Sequence, residues 1–264
     1  MFFRLTSLEL GLILFAVVFG ATAVAVVLGR RHRDRSEMRE PFAVLQGALL
    51  GVVGLILAFG LSLAVGRYQD RRASVVDEAN AIGTTYLRAQ TLREPARGRS
   101  LALLVRYTDA SIRLGKAIPG SADARRVLAV ESAIQRQLWA LAGQALNASP
   151  VDSAPRLYVE SLNTMIDSQG VRVAGLNNRV PGPVLVLEVV GAAVGVALLA
   201  FYLAVLGRGL LTVLLAAALV TMLLLVTFDL DRPTRGLITV PTTPLTDVRA
   251  SMNLPPAAGG PTAR

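Results

Sequence analysis

Four stretches of this chain are long and apolar enough to cross a lipid bilayer, and they constrain the fold more than any other feature. They cover residues 7–29, 42–66, 182–207 and 209–228. A helix needs about 20 predominantly apolar residues to span a hydrocarbon core ~30 Å thick. Because the backbone must satisfy its own hydrogen bonds there, such stretches fold as helices. We therefore expect an integral membrane protein with four transmembrane helices.

The composition supports this assignment and narrows the chemistry. Apolar residues make up 53% of the chain, charged residues make up 17%, and the mean hydropathy is +0.54. The chain has no Cys, and its single His, His32, lies in a run of Arg. These counts exclude a thiol nucleophile and a zinc site built from several His. We expect no enzyme activity, no catalytic residue, no metal site and no cofactor.

The net charge of +9 comes from 27 basic residues, all of which are Arg except Lys116. Arg residues that flank membrane segments account for this excess, so we expect membrane lipid and no nucleic acid as a partner. The first apolar stretch has an alternative interpretation as a signal peptide, because Ala21-Thr22-Ala23 resembles a cleavage site. Its apolar run continues to Leu28, beyond the usual length of a signal-peptide core, which favours a membrane span.

Residues 67–181 have a different character, with many Arg residues and amphipathic patterns. Apolar residues recur at helical spacing, and Pro95, Pro119-Gly120 and Pro155 mark breaks. The pattern predicts helices over about 67–90, 95–116, 121–146 and 155–179, with an N-cap near Ser121, and no strands. The larger aromatic residues of these helices are predicted to be core residues: Tyr86, Tyr107, Trp139 and Tyr158.

The fold class is therefore all-α, with a helical extramembrane domain between the second and third transmembrane helices. We expect four parts: helices 1 and 2 in 1–66, the extramembrane domain in 67–181, a transmembrane hairpin in 182–228, and a tail in 229–264. The end of the tail, from Pro255, is expected to be disordered. An even number of spans places both termini and the 67–181 domain on one side of the cell membrane. Counts of basic residues near the span ends nearly balance, and the five Arg residues of the first loop favour termini outside the cell, so these counts alone leave the side open.

The second stretch carries the most informative residues. Gly47, Gly51, Gly54 and Gly60 make it thin, and the first three suit close helix contacts. Opposite them, Leu55, Phe59 and Ser62 follow an i, i+4, i+7 spacing and share one face. Such a stripe either packs in a bundle or lines a pathway that closes by excluding water. We therefore consider the glycines as helix-packing residues and the stripe as candidate pore-lining residues.

Glu188 is an acidic residue well inside the third stretch. A charged side chain at the centre of the bilayer costs roughly 2.5–3.5 kcal/mol on insertion scales, so such a residue is a candidate functional group. The alternative is a residue that reaches the interface or makes a local hydrogen bond. Both interpretations remain open at this point.

Two motifs carry a resemblance to a known family. The segment LQGALLGVVGLILAFGLSLAVGRYQDRRASVVDEANAIGTTYLRA and the tail segment FDLDRPTRGLITVPTTPLTDVRAS resemble the bestrophin-like domain family of bacterial membrane proteins. The resemblance covers about residues 42–252, and bestrophin channels proper are more distantly similar. The residues at places comparable to the bestrophin motifs are Phe59, Arg67, Tyr68, Asp70, Arg72, Asn80, Ala81, Asp229, Asp231, Pro233, Pro244 and Leu245.

The resemblance implies a pentamer, cytoplasmic termini and a second helix that lines the pore, with inorganic ions as the permeating species and anions favoured. The acidic run that forms the calcium clasp of animal bestrophins is absent, so calcium gating is not implied. The resemblance also implies a ladder of three bulky apolar residues at the neck of the pore. This ladder is reduced here, because Gly51 lies one turn before Leu55.

Three classes of function therefore remain open from the sequence. The first is an oligomeric ion channel, and the second is a non-conducting membrane scaffold or sensor whose helical domain binds a partner. The third is an intramembrane enzyme that uses Glu188, Asp229 or Asp231. We favour the channel.

Overall fold

The computed structural model describes residues 5–32, 39–207 and 209–257, and every regular element in these ranges is a helix. The all-α membrane fold predicted from the sequence is confirmed. Residues 258–264, which belong to the segment expected to be disordered, lie outside the described residues. The helices are α1 (Ser7–Arg31), α2 (Arg39–Ala89), α3 (Ala96–Lys116), α4 (Ala122–Ala148), α5 (Ser153–Asn177), α6 (Gly182–Val205), α7 (Leu210–Leu230) and α8 (Thr243–Ser251).

Local sequence signals explain where several helices begin. Thr6 and Glu9 form a capping box at α1, in which each side chain accepts a hydrogen bond from the backbone N–H of the other residue. Ser121 caps α4 as predicted, and its hydroxyl accepts from the N–H of Ala124. Gly209 precedes α7 with φ of 81°, a conformation that favours glycine. The sequence did not predict α8, a helix of 9 residues in the tail.

The chain forms two compact units. The first consists of residues 1–68 and 179–239, and contains α1, part of α2, α6 and α7. Its largest buried cluster is almost purely aliphatic. Small buried residues on α6, among them Ala192, Ala193 and Gly195, allow close packing. Gly29 of α1 lies against the Phe201 carbonyl of α6, and no other residue fits at this approach.

The second unit consists of residues 69–178 and 240–264, and contains the rest of α2 with α3, α4, α5 and α8. Its core includes Tyr107 and Tyr158, both fully buried, and Tyr86 packs against it. The prediction for Trp139 was wrong, because this side chain is 47% exposed on α4. Trp139 follows the buried Leu138 by one residue, about 100° around the helix, and therefore points away from the core.

Four helical segments of the described chain are long and apolar enough to span a membrane. They are Ser7–Arg31, Gln46–Ala89, Ser153–Val205 and Leu210–Leu230. The third range joins α5 and α6, and its apolar part is α6. The chain is therefore a multi-pass membrane protein. The division at 66, 181 and 228 and the cytoplasmic side of the termini stay predictions.

The absence of Cys makes the predicted sidedness testable by single-cysteine labelling. Val151→Cys and Leu254→Cys, both at exposed positions, should react from the same side of intact cells or oriented vesicles. His32→Cys, at the exposed end of α1, should react from the opposite side. An impermeant maleimide is the reagent, and labelling after permeabilisation shows that each Cys is reactive. Labelling of Val151→Cys and Leu254→Cys from opposite sides would contradict the four-span topology.

Candidate functional site

In the first unit, α2 is buried along one face only. Leu57, Gly60 and Ala64 face the interior, and Val53 contacts Gly191 and Gly195 of α6. On the other side the candidate pore-lining residues are uncovered: Leu55 is 56% exposed, Phe59 is 62% exposed, and Ser62 is exposed. We call these three residues the apolar stripe.

The predicted packing glycines lie on the exposed side too. Gly47, Gly51 and Gly54 are exposed, and a Cβ at any of them would have open space within 4 Å. The expectation that they lie opposite the apolar stripe was wrong. At about 100° per residue, Gly51 and Ser62 lie within about 20° of each other around the helix, so the glycines and the apolar stripe share one side. Any helix that packs on these glycines must come from outside this chain.

Glu188 of α6 is only 1% exposed, and its carboxylate lies directly against Gly60 of α2. A Cβ at position 60 would overlap this carboxylate. Neither carboxylate oxygen has a hydrogen-bond partner. Glu188 therefore does not reach the interface, and a glycine on α2 provides the space that it occupies. A buried carboxyl without a cation or donor is most stable in its neutral form.

In the second unit, the exposed side of α2 is polar. Asp70, Asp77, Asn80 and Thr84 are exposed at spacings of seven, three and four residues, which place them on one face. We call these four residues the polar stripe. Arg72 is exposed as well but lies outside it, about 80° to 160° around the helix from its members. Arg67, at the end of the first unit, is half-buried.

The polar stripe forms one wall of an open groove of about 440 Å³ in the second unit. Asp77, Asn80 and Thr84 come from α2, and Glu160 and Ser168 come from α5. Carboxylates, hydroxyls, one amide and the Arg88 guanidinium, which lies 3.6 Å from Glu160, therefore line this groove, which suits hydrated ions better than an apolar ligand.

The family-motif residue Asp229 organises the segment that follows α7. Its side chain accepts hydrogen bonds from the N–H groups of Leu237 and Ile238 at 2.7 and 2.8 Å, and from the Ser7 hydroxyl at 3.0 Å. Gly236, with φ of 131°, leaves room for the carboxylate. Asp229 thereby joins the start of α1 to the end of α7.

Asp231 and Pro233 are also buried within the first unit. Asp231 accepts from the N–H of Val180 at 3.0 Å and lies 3.6 Å from the Arg179 guanidinium, just before α6. These motif carboxylates hold backbone segments together, a role that the sequence analysis did not foresee. The described residues contain no group of three or more His, Asp or Glu that could hold a metal ion.

The second unit also contains a buried polar network that sequence reasoning missed. Glu78 of α2 accepts hydrogen bonds from the Arg172 guanidinium of α5 and, at 2.6 Å, from the Ser111 hydroxyl of α3. Glu131 of α4 is fully buried nearby, where Gln169 donates to it at 2.9 Å. The sequence contains a signal for Glu131, because this acidic residue stands among apolar residues at helical spacing, namely Val127, Ile134 and Leu138.

Comparison with known proteins identifies the family. The model of the bestrophin-like domain matches residues 13–245. The chain belongs to the bestrophin-like family. This confirms the resemblance inferred from the two motifs. No curated protein matches the chain.

Solved structures share the bestrophin-like fold. A variant of the bacterial bestrophin homologue from Klebsiella pneumoniae aligns with a TM-score of 0.71 at 16% identity, over 94% of this chain and 97% of its own. The same homologue, phased on zinc, aligns with a TM-score of 0.67 at 14% identity, over 89% of this chain and 97% of its own. Identities this low support the shared fold, while function must be argued from the residues of this chain.

The contact between Gly60 and Glu188 predicts a specific loss of stability. Gly60→Ala should lower the free energy of unfolding by about 1–3 kcal/mol, because the added methyl group overlaps the carboxylate. Glu188→Ala in the same chain should restore part of this loss. Thermal unfolding of the detergent-solubilised protein measures both effects.

Gly20→Ala on α1 is the matched control, because no atom lies within 4 Å of its added Cβ. It should leave stability unchanged or slightly raised, since Ala has the higher helix propensity. Equal effects of Gly60→Ala and Gly20→Ala would show that the carboxylate does not occupy this space.

Proposed function

We propose that this chain is the subunit of a homo-oligomeric ion channel in which the exposed side of α2 lines the ion pathway. The observation that carries the proposal is the one-sided burial of this helix. In its most apolar window only 17% of the residues are buried within the chain, compared with 28% for α1, 39% for the third span and 28% for α7. The uncovered side includes glycines that leave space for a neighbouring helix.

An oligomer would cover the exposed side of α2. Four membrane helices are too few to enclose a pathway, whereas a ring of α2 helices can surround one and bring small residues into contact. Membership of the bestrophin-like family supports a closed ring, and the bestrophin resemblance makes the pentamer the ring size that we propose.

The apolar stripe supports a constriction. A ring of Leu55 and Phe59 side chains would exclude water from a narrow pathway, and ions pass such a ring only when it widens. Ser62 follows within one turn and would begin the hydrated part of the path. In a non-conducting scaffold the same side chains would pack between subunits.

The charges of the polar stripe bear on whether anions or cations permeate. The bestrophin resemblance implies anions, but the exposed charges on this face of α2 are those of Asp70 and Asp77, while Arg88 on the same face lies 3.6 Å from Glu160. Rings of carboxylates favour cations in a pore. From this chain's own charges we therefore propose that cations permeate better than anions.

The oligomer can be tested through Gly54. Gly54→Leu places a large side chain where the isolated chain has open space, so the subunit should still fold. It should lose the oligomer, because the side chain occupies the surface needed by the neighbouring α2. Native mass spectrometry in detergent measures the subunit number, with Gly20→Leu on α1 as control. A Gly54→Leu protein with unchanged mass would argue against this packing surface.

The constriction can be tested by removing both large side chains of the apolar stripe. Leu55→Ala with Phe59→Ala should raise single-channel conductance or leak in reconstituted bilayers, because the apolar ring opens. Leu211→Ala with Leu215→Ala, also exposed and one turn apart on α7, should leave conductance unchanged.

The ion preference can be tested separately. Reversal potentials in a salt gradient should show cation preference, and Asp70→Asn with Asp77→Asn should weaken this preference.

The scaffold function predicts a different outcome for the same protein. If Leu55 and Phe59 only pack between subunits, their truncation should cost about 2–5 kcal/mol per side chain and give no current. An assembled double mutant that remains electrically silent under every ionic condition would favour the scaffold.

A further inference from the structure

Three acidic or basic side chains are sealed inside the described part of the helical unit of residues 69–178 and 240–264. Glu78 comes from α2, Glu131 from α4 and Arg172 from α5, and each is at most 1% exposed. Two carboxylates therefore share an interior with one guanidinium. Burying an unbalanced charge is costly, so the distribution of hydrogen bonds decides which carboxylate can be ionised.

The guanidinium is committed to Glu78. Arg172 Nη1 donates to Glu78 Oε2 and, at 2.7 Å, to the Ser111 hydroxyl, while Nη2 donates to the Ser111 carbonyl at 3.1 Å. The other oxygen of Glu78 accepts from Ser111 at 2.6 Å and lies 3.5 Å from the donating Tyr107 hydroxyl. Both oxygens of Glu78 thus have donors, and its charge is balanced.

Glu131 lacks this support. One oxygen accepts from Gln169 Nε2 at 2.9 Å, and the other, Oε1, is buried without a hydrogen-bond partner. The polar groups around it are Glu78 on α2, Tyr107 on α3, Gln135 on α4, and Gln169 and Arg172 on α5. Arg172 is the one cation in this set and already balances Glu78. Glu131 is therefore the excess carboxylate of the network.

We propose that Glu131 is a proton-binding site, which holds a proton in the folded protein near neutral pH and releases it as the pH rises, so that this helical unit responds to pH. Burial raises the pKa of Glu131 from 4.5 to about 7, and the charge of Glu78 raises it further, while the Gln169 hydrogen bond and Arg172 oppose the shift. The inference is independent of whether the protein conducts ions.

Proton release has a structural consequence. An ionised Glu131 repels Glu78 and attracts Arg172, so it competes for the guanidinium that joins α2, α3 and α5. The packing of α4 against α5 weakens at the same time, because an ionised carboxylate remains buried with one donor. We expect the second unit to be tighter below neutral pH than above it.

The sign of the stability change follows from proton linkage. The folded-state pKa of Glu131 is raised, so between about pH 4.5 and 7 the folded protein binds one more proton than the unfolded chain. The stability contributed by this proton is fully present below about pH 4.5 and is lost as the pH rises through about 7.

The test compares full-length wild type with Glu131→Gln, which keeps the shape of the side chain and removes the titration. Thermal unfolding in detergent is followed from about pH 4 to 8.5. The variant and wild type should have similar midpoints at low pH, and the variant should unfold at the higher temperature above neutral pH. Equal pH profiles for the two proteins would overturn the proposal.

Glu160→Gln is the matched control, because Glu160 lies on α5 with its side chain 70% exposed, 3.6 Å from Arg88. Its profile should follow wild type. A Glu160→Gln profile that matches Glu131→Gln instead would show that general loss of negative charge causes the effect, and would also overturn the proposal.

Infrared difference spectroscopy supplies a direct readout. Both proteins carry Glu188→Gln in this experiment, which removes the other buried carboxyl without a donor. In the difference between spectra at about pH 6 and pH 8.5, wild type should show a protonated-carboxyl band that Glu131→Gln lacks. If Glu131→Gln fails to fold, Gln169→Leu serves instead. This change keeps Glu131 and removes the amide that donates a hydrogen bond to its carboxylate. The band should then titrate at higher pH than in wild type, and an unchanged midpoint would overturn the proposal.

Discussion

Helix α2 contributes a buried face to each of the two compact units, and the core of each unit depends on it. Leu57, Gly60 and Ala64 belong to the interior of the first unit, and Val75 and Ile82 belong to the core of the second. Within each unit these positions recur at helical spacing and therefore share one face of the helix. In each unit the other side of α2 has exposed residues that are available for partners or ions.

The sequence predicted the helices well because their signals are local. Apolar length fixed the four spans, and Pro, Gly and Ser121 marked where helices begin and end. The orientation of side chains was less predictable: Tyr107 and Tyr158 are core residues, but Trp139 is exposed one position after Leu138. Residue type alone cannot decide this, because a shift of one position turns a helix by about 100°.

The roles of acidic residues were the least predictable part of the candidate site. Asp229 and Asp231 resemble a family motif, yet in the structure Asp229 accepts from backbone N–H groups eight and nine residues later, and Asp231 accepts from the N–H of Val180, 51 residues earlier. Such partners are brought together only by the fold. The sequence identifies Glu188 as an unusual residue. It does not reveal that Gly60 of α2 provides the space for the Glu188 carboxylate.

Three buried carboxyl groups illustrate how the same residue type takes different states. Glu78 has a guanidinium and two hydroxyls within hydrogen-bonding distance, so both of its oxygens have donors. Glu131 has one amide donor, which is insufficient for a sealed charge and leads to proton binding near neutral pH. Glu188 has no donor, and its neutral form fits beside the backbone of Gly60. The number of donors that the fold supplies, rather than depth of burial, therefore separates a structural ion from a proton-binding group.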